Sequence, residues 1–186
     1  AETLGSLRRM VATVGDIDIA VASESPGKII DHFRNFREVG RVLEAGPITS
    51  SIVLKNGIQI DLMVQPLNSF GALLQHFTGS KNHNISLREF ALQKGCSLSE
   101  YGIKVKGQLK KFADEKSFYQ FLGLDYIEPE LREDTGEIKA AVKHRLPILV
   151  NPKDIKGDTH LHSNFPIEPS HDMGEDNFES IIKKAQ

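Results

Sequence analysis

The sequence predicts an α+β fold, and three observations carry it. Asn56-Gly57 separates two runs of alternating apolar residues, the strongest short-range signal for a β-hairpin. Upstream, Asp16 to Val21 alternates polar or small with apolar, as a half-buried strand does. From Pro66 onward the period changes from two to helical spacing.

Taken in order, Arg8 to Thr13 reads as a short extended run that Gly15 ends, before the strand at 16–21. Ser25-Pro26-Gly27 opens a helix reaching about Arg37, with Pro26 suited to its first turn and Ile29, Ile30 and Phe33 on one face. Val39 to Leu43 reads as a strand. Ser50 to Lys55 and Ile58 to Val64 form the hairpin, joined by a type I′ turn. Asn68 or Ser69 caps a helix to Phe77 whose Phe70, Leu73, Leu74 and Phe77 share a face, the first three reading as core. Thr78-Gly79-Ser80 interrupts it. A second helix carries Ile85, Leu87, Phe90, Ala91 and Leu92 and stops at Lys94-Gly95. Short strands at Leu98 to Ile103 and Lys104 to Lys106 precede a helix over Glu115 to Phe121. Pro129 to Pro152 is polar and punctuated by proline, apart from Leu146 to Val150, and reads as a connector; Gly157 to His162 starts a new element.

The chain has 186 residues, 23 Lys+Arg, 25 Asp+Glu and one Cys. Its apolar runs fall far short of the ~20 residues a membrane helix needs. No basic-then-apolar leader opens it. A lone Cys96 excludes an internal disulfide framework, fits a reducing, cytoplasmic setting and should pack near a helix end. The net charge of −2 hides an asymmetry: residues 1–122 carry 15 basic and 12 acidic side chains, and residues 123–186 carry 8 and 13. Between Lys81 and Lys116 eight basic residues face four acidic ones, a solvated surface that also suits phosphates.

Asp16 and Asp18 are two apart on a strand, so they share a face, and Asp61 stands in the middle of another apolar strand. Carboxylates are poor strand residues and repel one another unless a cation lies between them. Three hard oxygen donors on neighbouring strands suit Mg²⁺, although Asp-x-Asp alone is equally a pair of solvated acids. Upstream, Gly5-Ser6 can present N–H groups and a hydroxyl to phosphate oxygens, and Arg8-Arg9 supplies guanidinium forks. Gly15 permits close backbone approach just before the acids.

With Gly-Ser-x-Arg-Arg and Gly-Asp-x-Asp in one short span, the sequence resembles the nucleotidyltransferase superfamily. With Phe77-Thr78-Gly79-Ser80-Lys81, Asn84 and Arg88, it resembles the family X DNA polymerases, the group of DNA polymerase beta, in their bacterial and archaeal branch. In that branch a PHP phosphoesterase domain follows the polymerase core, and Gly157-Asp158-Thr159-His160-Leu161-His162 resembles its first metal motif.

The resemblance implies a template-directed DNA nucleotidyltransferase that fills gaps in DNA repair, with gapped or primer-template DNA and a dNTP as partners. It implies a palm at 1–66 with a mixed sheet and flanking helix, an α/β thumb at 67–128, a connector at 129–152 and the start of a PHP domain at 153–186. Asp16, Asp18 and Asp61 would be catalytic and would hold two Mg²⁺ or Mn²⁺ ions, with Asp61 beside the primer terminus. Ser6, Arg9 and Gly15 would grip the triphosphate. His76, Phe77, Gly79, Lys81 and Asn84 would meet the nucleotide, Asn84 at the minor-groove edge of its base, and Arg88 would touch the template strand. Gly79-Ser80 matches a turn with a cis peptide. The sequence departs from the vertebrate pattern at three positions: Val14 replaces a phosphate-binding Ser, His76 a Tyr near the sugar, and Lys81 an Asp, a charge expected to tighten nucleotide binding.

Only four residues precede Gly5, so the resemblance implies a piece of a longer enzyme that begins within the palm and stops inside the PHP domain. His160 and His162, two apart on a strand, would ligate Zn²⁺ or Mn²⁺ in that longer protein. His171-Asp172 reads as a surface loop, and His32, His83 and His144 as partly exposed residues without a role. Two other functions fit parts of the pattern. One is a nucleotidyltransferase acting on a different acceptor, which leaves Phe77 to Arg88 unexplained; the other is an inactive nucleic-acid-binding fragment.

Overall fold

The computed structural model describes residues 1–157, 161–165 and 174–185. They divide into two compact units, residues 1–146 and 147–186.

In the first unit, β1 (Glu2–Thr3), α1 (Gly5–Arg8), β2 (Ile17–Ala22), α2 (Pro26–Arg34), β3 (Val39–Ala45), β4 (Thr49–Leu54) and β5 (Gln59–Gln65) come first. Their five strands form a mixed sheet in the order β1-β2-β5-β4-β3, in which only β2 and β5 run parallel. Side chains alternate across it. Ile19, Val21, Leu62 and Val64 pack with Ile29, Ile30 and Phe33 of α2, while Ala20 and Met63 pack with Phe70, Leu73 and Leu74 of α3 (Phe70–Thr78). Fully burying a side chain such as Leu73 is worth ~1.5–3 kcal/mol. The central strands β2 and β5 are therefore covered on both faces, while edge strand β3 stays exposed.

Two expectations change here. Arg8 to Thr13 is not extended: α1 occupies its start, and Leu4 O and Gly5 O accept the N–H groups of Arg8 and Arg9. The hairpin forms where Asn-Gly sits, but not with a type I′ turn. Only Gly57 of the pair has positive φ (+89°), and its N–H bonds Leu54 O while Leu54 N–H bonds Ile58 O, so the loop has three residues closed by an αL glycine.

α3 is followed by α4 (Lys81–Gln93), then β6 (Cys96–Ser99), β7 (Gly102–Val105) and β8 (Gln108–Lys110), and α5 (Glu115–Phe121). The expected strand pair at 98–106 is thus a three-stranded antiparallel meander with an earlier turn. Leu87 and Ala91 of α4, Ile103 of β7 and Phe118, Tyr119 and Leu122 make its core, with Cys96 buried at its edge.

The stretch read as a connector behaves differently in its first half. Pro129–Leu131 is a turn of 3₁₀ helix, α6 spans Glu137–Val142, and Pro129, Arg132, Glu137 and Ala141 are buried within the first unit. Arg132 and Glu137 are interior because each charge has a partner, which composition alone does not reveal. His83 corrects the sequence reading in the same way. It is fully buried, its Nδ1 2.5 Å from Glu137 Oε1 and its Nε2 2.9 Å from Tyr119 Oη.

Burial, with the Arg132 charge nearby, holds the His83 imidazole below its ordinary 6.5 despite the pull of Glu137 and Asp134. The unfolded chain then binds a proton that the folded chain does not, so stability is complete above pH 6.5 and declines below it. The loss is at most about 1.4 kcal/mol per pH unit, a few degrees of Tm for a chain of this size. Burial disfavours the charge of Glu137, but His83 and backbone N–H groups outweigh it and hold the carboxyl below its ordinary 4.5, adding a further loss in stronger acid of the same sign. An NMR titration of the His83 ring from pH 8 to 5 checks this; a ring that protonates at or above pH 6.5 would refute the neutral, buried His83.

In the second unit, Pro152–Asp154 forms a 3₁₀ turn with a capping box to Asn151, and α7 spans Phe178–Ala185. The rings of Phe165 and Phe178 lie 6.0 Å apart at a tilt of 43°, and Lys184 pairs with Asp176. Among the described residues, no helix is long and apolar enough to cross a membrane.

Candidate active site

Parallel pairing of β2 with β5 sets Asp18 directly opposite Asp61. Both side chains share a face with Ala20 and Met63, which α3 covers, so the carboxylates stand where that cover ends at Phe77. Asp18, Glu44, Thr49, Ser51, Asp61 and Phe77 line a cleft of about 270 Å³ there. Asp16 lies one residue before β2 and is exposed. Gly5, at φ +56°, packs against this site: a Cβ on it would come within 2.5 Å of Asp18 Oδ2, so a larger residue would displace that carboxylate.

Electrostatics singles out Asp18. Burial first, then the charges of Asp16 and Asp61, push its carboxyl up to about 6. A cation would relieve that repulsion, and the donor set is the hard-oxygen type that Mg²⁺ prefers. The Gln59 amide donates to both oxygens of Asp61, at 3.0 and 3.3 Å, and so competes for the ligand. Among the described residues, no three His, Cys, Asp or Glu side chains are gathered into a ready metal cage. The donor chemistry therefore fits a divalent ion, and the Gln59 bond is what must give way.

The other expected residues occupy two further groups. Ser6 is half-buried in α1, and Gly15 is exposed with open space beside it. Arg9 Nε donates to Glu133 Oε1 and its Nη1 to Thr78 O, both at 2.6 Å. The Gly79-Ser80 bond is cis, Ser80 Oγ caps α4 at His83 N–H, and Lys81 is exposed in the first turn. The Asn84 Nδ2 donates to His76 O at 2.7 Å, and Arg88 approaches His76 Nδ1 at 3.4 Å. Burial and, less strongly, Arg88 hold His76 below its ordinary value against Glu100.

Several residues around the site escaped the sequence. Arg8 Nη1 donates to Thr78 Oγ1 and its Nη2 to Glu115 Oε2. The other oxygen of Glu115 accepts from Arg132, which is fully buried and also donates twice to Ile127 O. Ser80 N–H in turn bonds Arg132 O. This chain ties α1, beside the carboxylates, to the Thr78–Ser80 turn. Its bonded partners are up to 107 residues apart, so no local pattern signals them. Of the expected PHP pair, His160 lies outside the described residues, as does His171-Asp172, and His162 is exposed.

A mixed sheet bearing strand-borne aspartates, followed by a helical module with its own three-stranded meander, defines the class as a nucleotidyltransferase palm with a thumb. Residues 73–133 match the DNA polymerase beta thumb family. The chain is 34% identical over 165 residues to the DNA polymerase/3'-5' exonuclease PolX of Bacillus subtilis, covering 87% of this chain and 29% of that protein. It is 30% identical over 161 residues to DNA polymerase lambda of Rattus norvegicus, covering 69% of this chain and 28% of that protein. The chain belongs to the family X DNA polymerases. It spans less than a third of the length of these relatives.

Proposed function

We propose that the chain carries the nucleotidyl-transfer site of a repair DNA polymerase, with residues 1–66 as palm, 67–128 as thumb, the first half of 129–152 packed into the thumb core and only the rest a connector, and 153–186 as the start of a PHP domain. One observation supports this above all: Asp18 and Asp61 face each other across the central parallel strands, with Phe77 closing the same cleft. Asp16, Asp18 and Asp61 would hold Mg²⁺ or Mn²⁺. Two such ions, when bound, supply Lewis-acid stabilisation to both ends of an in-line phosphoryl displacement. Asp61 takes or relays the proton of the attacking 3′-hydroxyl. Ser6, Arg9 and Gly15 bind the triphosphate of a dNTP, with Arg9 leaving Glu133 to do so. Asn84 meets the base beside His76, Phe77 and Gly79, Arg88 meets the template strand of gapped or primer-template DNA, and His160 and His162 contribute to a Zn²⁺ or Mn²⁺ site of the longer protein. As a DNA repair enzyme it would act in the cytoplasm.

Calorimetric titration of the chain with dNTP, with and without Mg²⁺, and primer extension on gapped DNA test this reading. Metal-dependent binding that Asp18→Asn removes is expected. Binding indifferent to both metal and Asp18 would sink it.

Lys81 yields a subsidiary prediction. It is exposed beside the cis turn, so its charge acts through solvent and is worth ~0.2–1 kcal/mol. Lys81→Asp should raise the nucleotide KM or Kd several-fold at low salt, and the difference should shrink as salt is added. Titration at two ionic strengths measures it.

A further inference from the structure

We propose that Glu133 is the resident counter-ion of Arg9, a carboxylate that competes with the nucleotide's triphosphate for that guanidinium and so sets the affinity of the site. The proposal rests on the reading of Arg9 as a triphosphate contact; the pairing itself follows from the geometry.

Arg8 and Arg9 are neighbours in sequence, and each is paired with a glutamate from far along the chain. The two pairs differ in kind. Arg8 Nη2 donates to Glu115 Oε2 at 2.5 Å, the Glu115 side chain is 4% exposed, and its other oxygen accepts from Arg132 at 2.6 Å. A carboxylate held by two guanidinium groups in the interior is not exchanged without stranding a buried charge. Arg9 Nε donates to Glu133 Oε1 at 2.6 Å, but that glutamate side chain is 38% exposed, and Arg9 is its one partner among the described residues. Water takes over the carboxylate as the pair opens, so separation costs little. Arg8 is therefore structural and Arg9 exchangeable.

The bonds of Arg9 also define which edge is contested. Its Nη1 donates to Thr78 O at 2.6 Å and lies 3.1 Å from where a Cβ on Gly79 would stand, so the guanidinium rests against the cis turn. That leaves the Nε–Nη2 edge as the pair of parallel donors that matches two phosphate oxygens. Glu133 Oε1 sits on Nε and blocks that edge. A phosphate takes it only as the carboxylate leaves, since two anions on one edge repel each other. Glu133 is also held in place from behind. The preceding Arg132 is fully buried, its side chain donates to Glu115 and to Ile127 O, and its carbonyl accepts Ser80 N–H. The backbone thus keeps the carboxylate beside Arg9 as a permanent local competitor. Its effect is a threshold: a monophosphate with few other contacts does not displace it, whereas a triphosphate with several does.

Calorimetric titration with dATP and Mg²⁺ on the wild-type chain, Glu133→Gln, Arg9→Gln and the double variant tests the proposal. Glutamine keeps the size of Glu133 and an oxygen for Arg9 Nε while removing the charge. Glu133→Gln should bind dATP about two- to fivefold more tightly, the ratio that a partly open ion pair corresponds to. Arg9→Gln should weaken binding, and adding Glu133→Gln to it should restore nothing. In ¹⁵N spectra of the wild type, the Arg9 Nε–H should shift on saturation with dATP as its acceptor changes. Binding that is unchanged or weaker in Glu133→Gln, an equal gain in the Arg9→Gln background, or an Arg9 Nε–H unmoved at saturation would overturn the proposal. In the first case Glu133 holds Arg9 for the nucleotide; in the second it acts through overall charge alone. The reading of Arg9 fails separately: dATP binding indifferent to Arg9→Gln, or absent from all four chains, would remove it and the proposal with it.

Discussion

Asp18→Asn should reduce Mg²⁺-dependent nucleotidyl transfer by two orders of magnitude or more, the scale of removing one preorganised charge-stabilising group, while leaving the fold as stable as before or more so. The two effects separate because Asp18 serves no structural pairing in this structure. It lies beside Asp61 with Asp16 close by, half-buried, and its carboxyl is pushed up to about 6 by burial and by those two charges. Neutralising it removes repulsion that the folded chain must otherwise bear, and it removes an oxygen ligand at the same time. Asparagine keeps the size of the side chain, so Gly5 can still pack against it. Primer extension in a longer active form, paired with a thermal melt of this chain, reads both quantities. Lost activity with a lowered Tm would mean that Asp18 holds the fold together, and the assignment of its role would be wrong. The wild type should also gain Tm on adding Mg²⁺, and Asp18→Asn should gain much less.

Glu115→Ala should cost ~3–5 kcal/mol of stability, the range for breaking a buried ion pair by removing one partner. Glu115 sits between two arginines. Arg132 Nη1 meets its Oε1 at 2.6 Å, and Arg8 Nη2 meets its Oε2 at 2.5 Å. Arg132 is fully buried, with its guanidinium 5.2 and 5.6 Å from the ring centres of Tyr119 and Tyr126, and without Glu115 its charge would lack a counter-ion. Burial works against the charge on Glu115, but Arg132 and Arg8 outweigh it and hold the carboxyl below its ordinary 4.5. By linkage this stabilisation is complete above pH 4.5 and is lost as the pH falls through the lower folded value. Chemical denaturation of wild type and variant at pH 7 measures the difference. A change under 1 kcal/mol would show that the two arginines find other partners. Because Arg8 also holds Thr78, and Ser80 bonds Arg132 O, nucleotide binding should weaken along with stability.

Much of the fold could be read from local pattern. The strands at 17–22 and 59–65, the proline-led helix, the glycine stop after α4 and the α3 core face all rest on residues within a few positions of one another. So do the motifs around Asp16, Asp18, Asp61 and the Gly79-Ser80 turn, since their spacing within one strand or turn decides which side chains share a face. The hairpin at Asn56-Gly57 was legible as a turn but not as a turn type, because the registers of β4 and β5, set by packing, decide whether two or three residues close it.

Where partners are distant, pattern is silent. His83 looked like a partly exposed residue without a role, yet it is buried because Glu137, 54 positions away, and Tyr119, 36 positions away, satisfy both its nitrogens. The polar stretch after Pro129 looked like a connector for the same reason: Arg132 is affordable in a core only beside Glu115 and Ile127 O. Residue order along single strands was thus sufficient to point to the aspartates, and the motif at Phe77 to Arg88 carried the resemblance to the family. Only the folded chain decides that Asp18 faces Asp61, that Gln59 occupies Asp61, and that Arg9 rests on Glu133. The physical reason is that a buried charge or amide is tolerated according to the groups the fold brings to it, and those groups come from anywhere in the sequence.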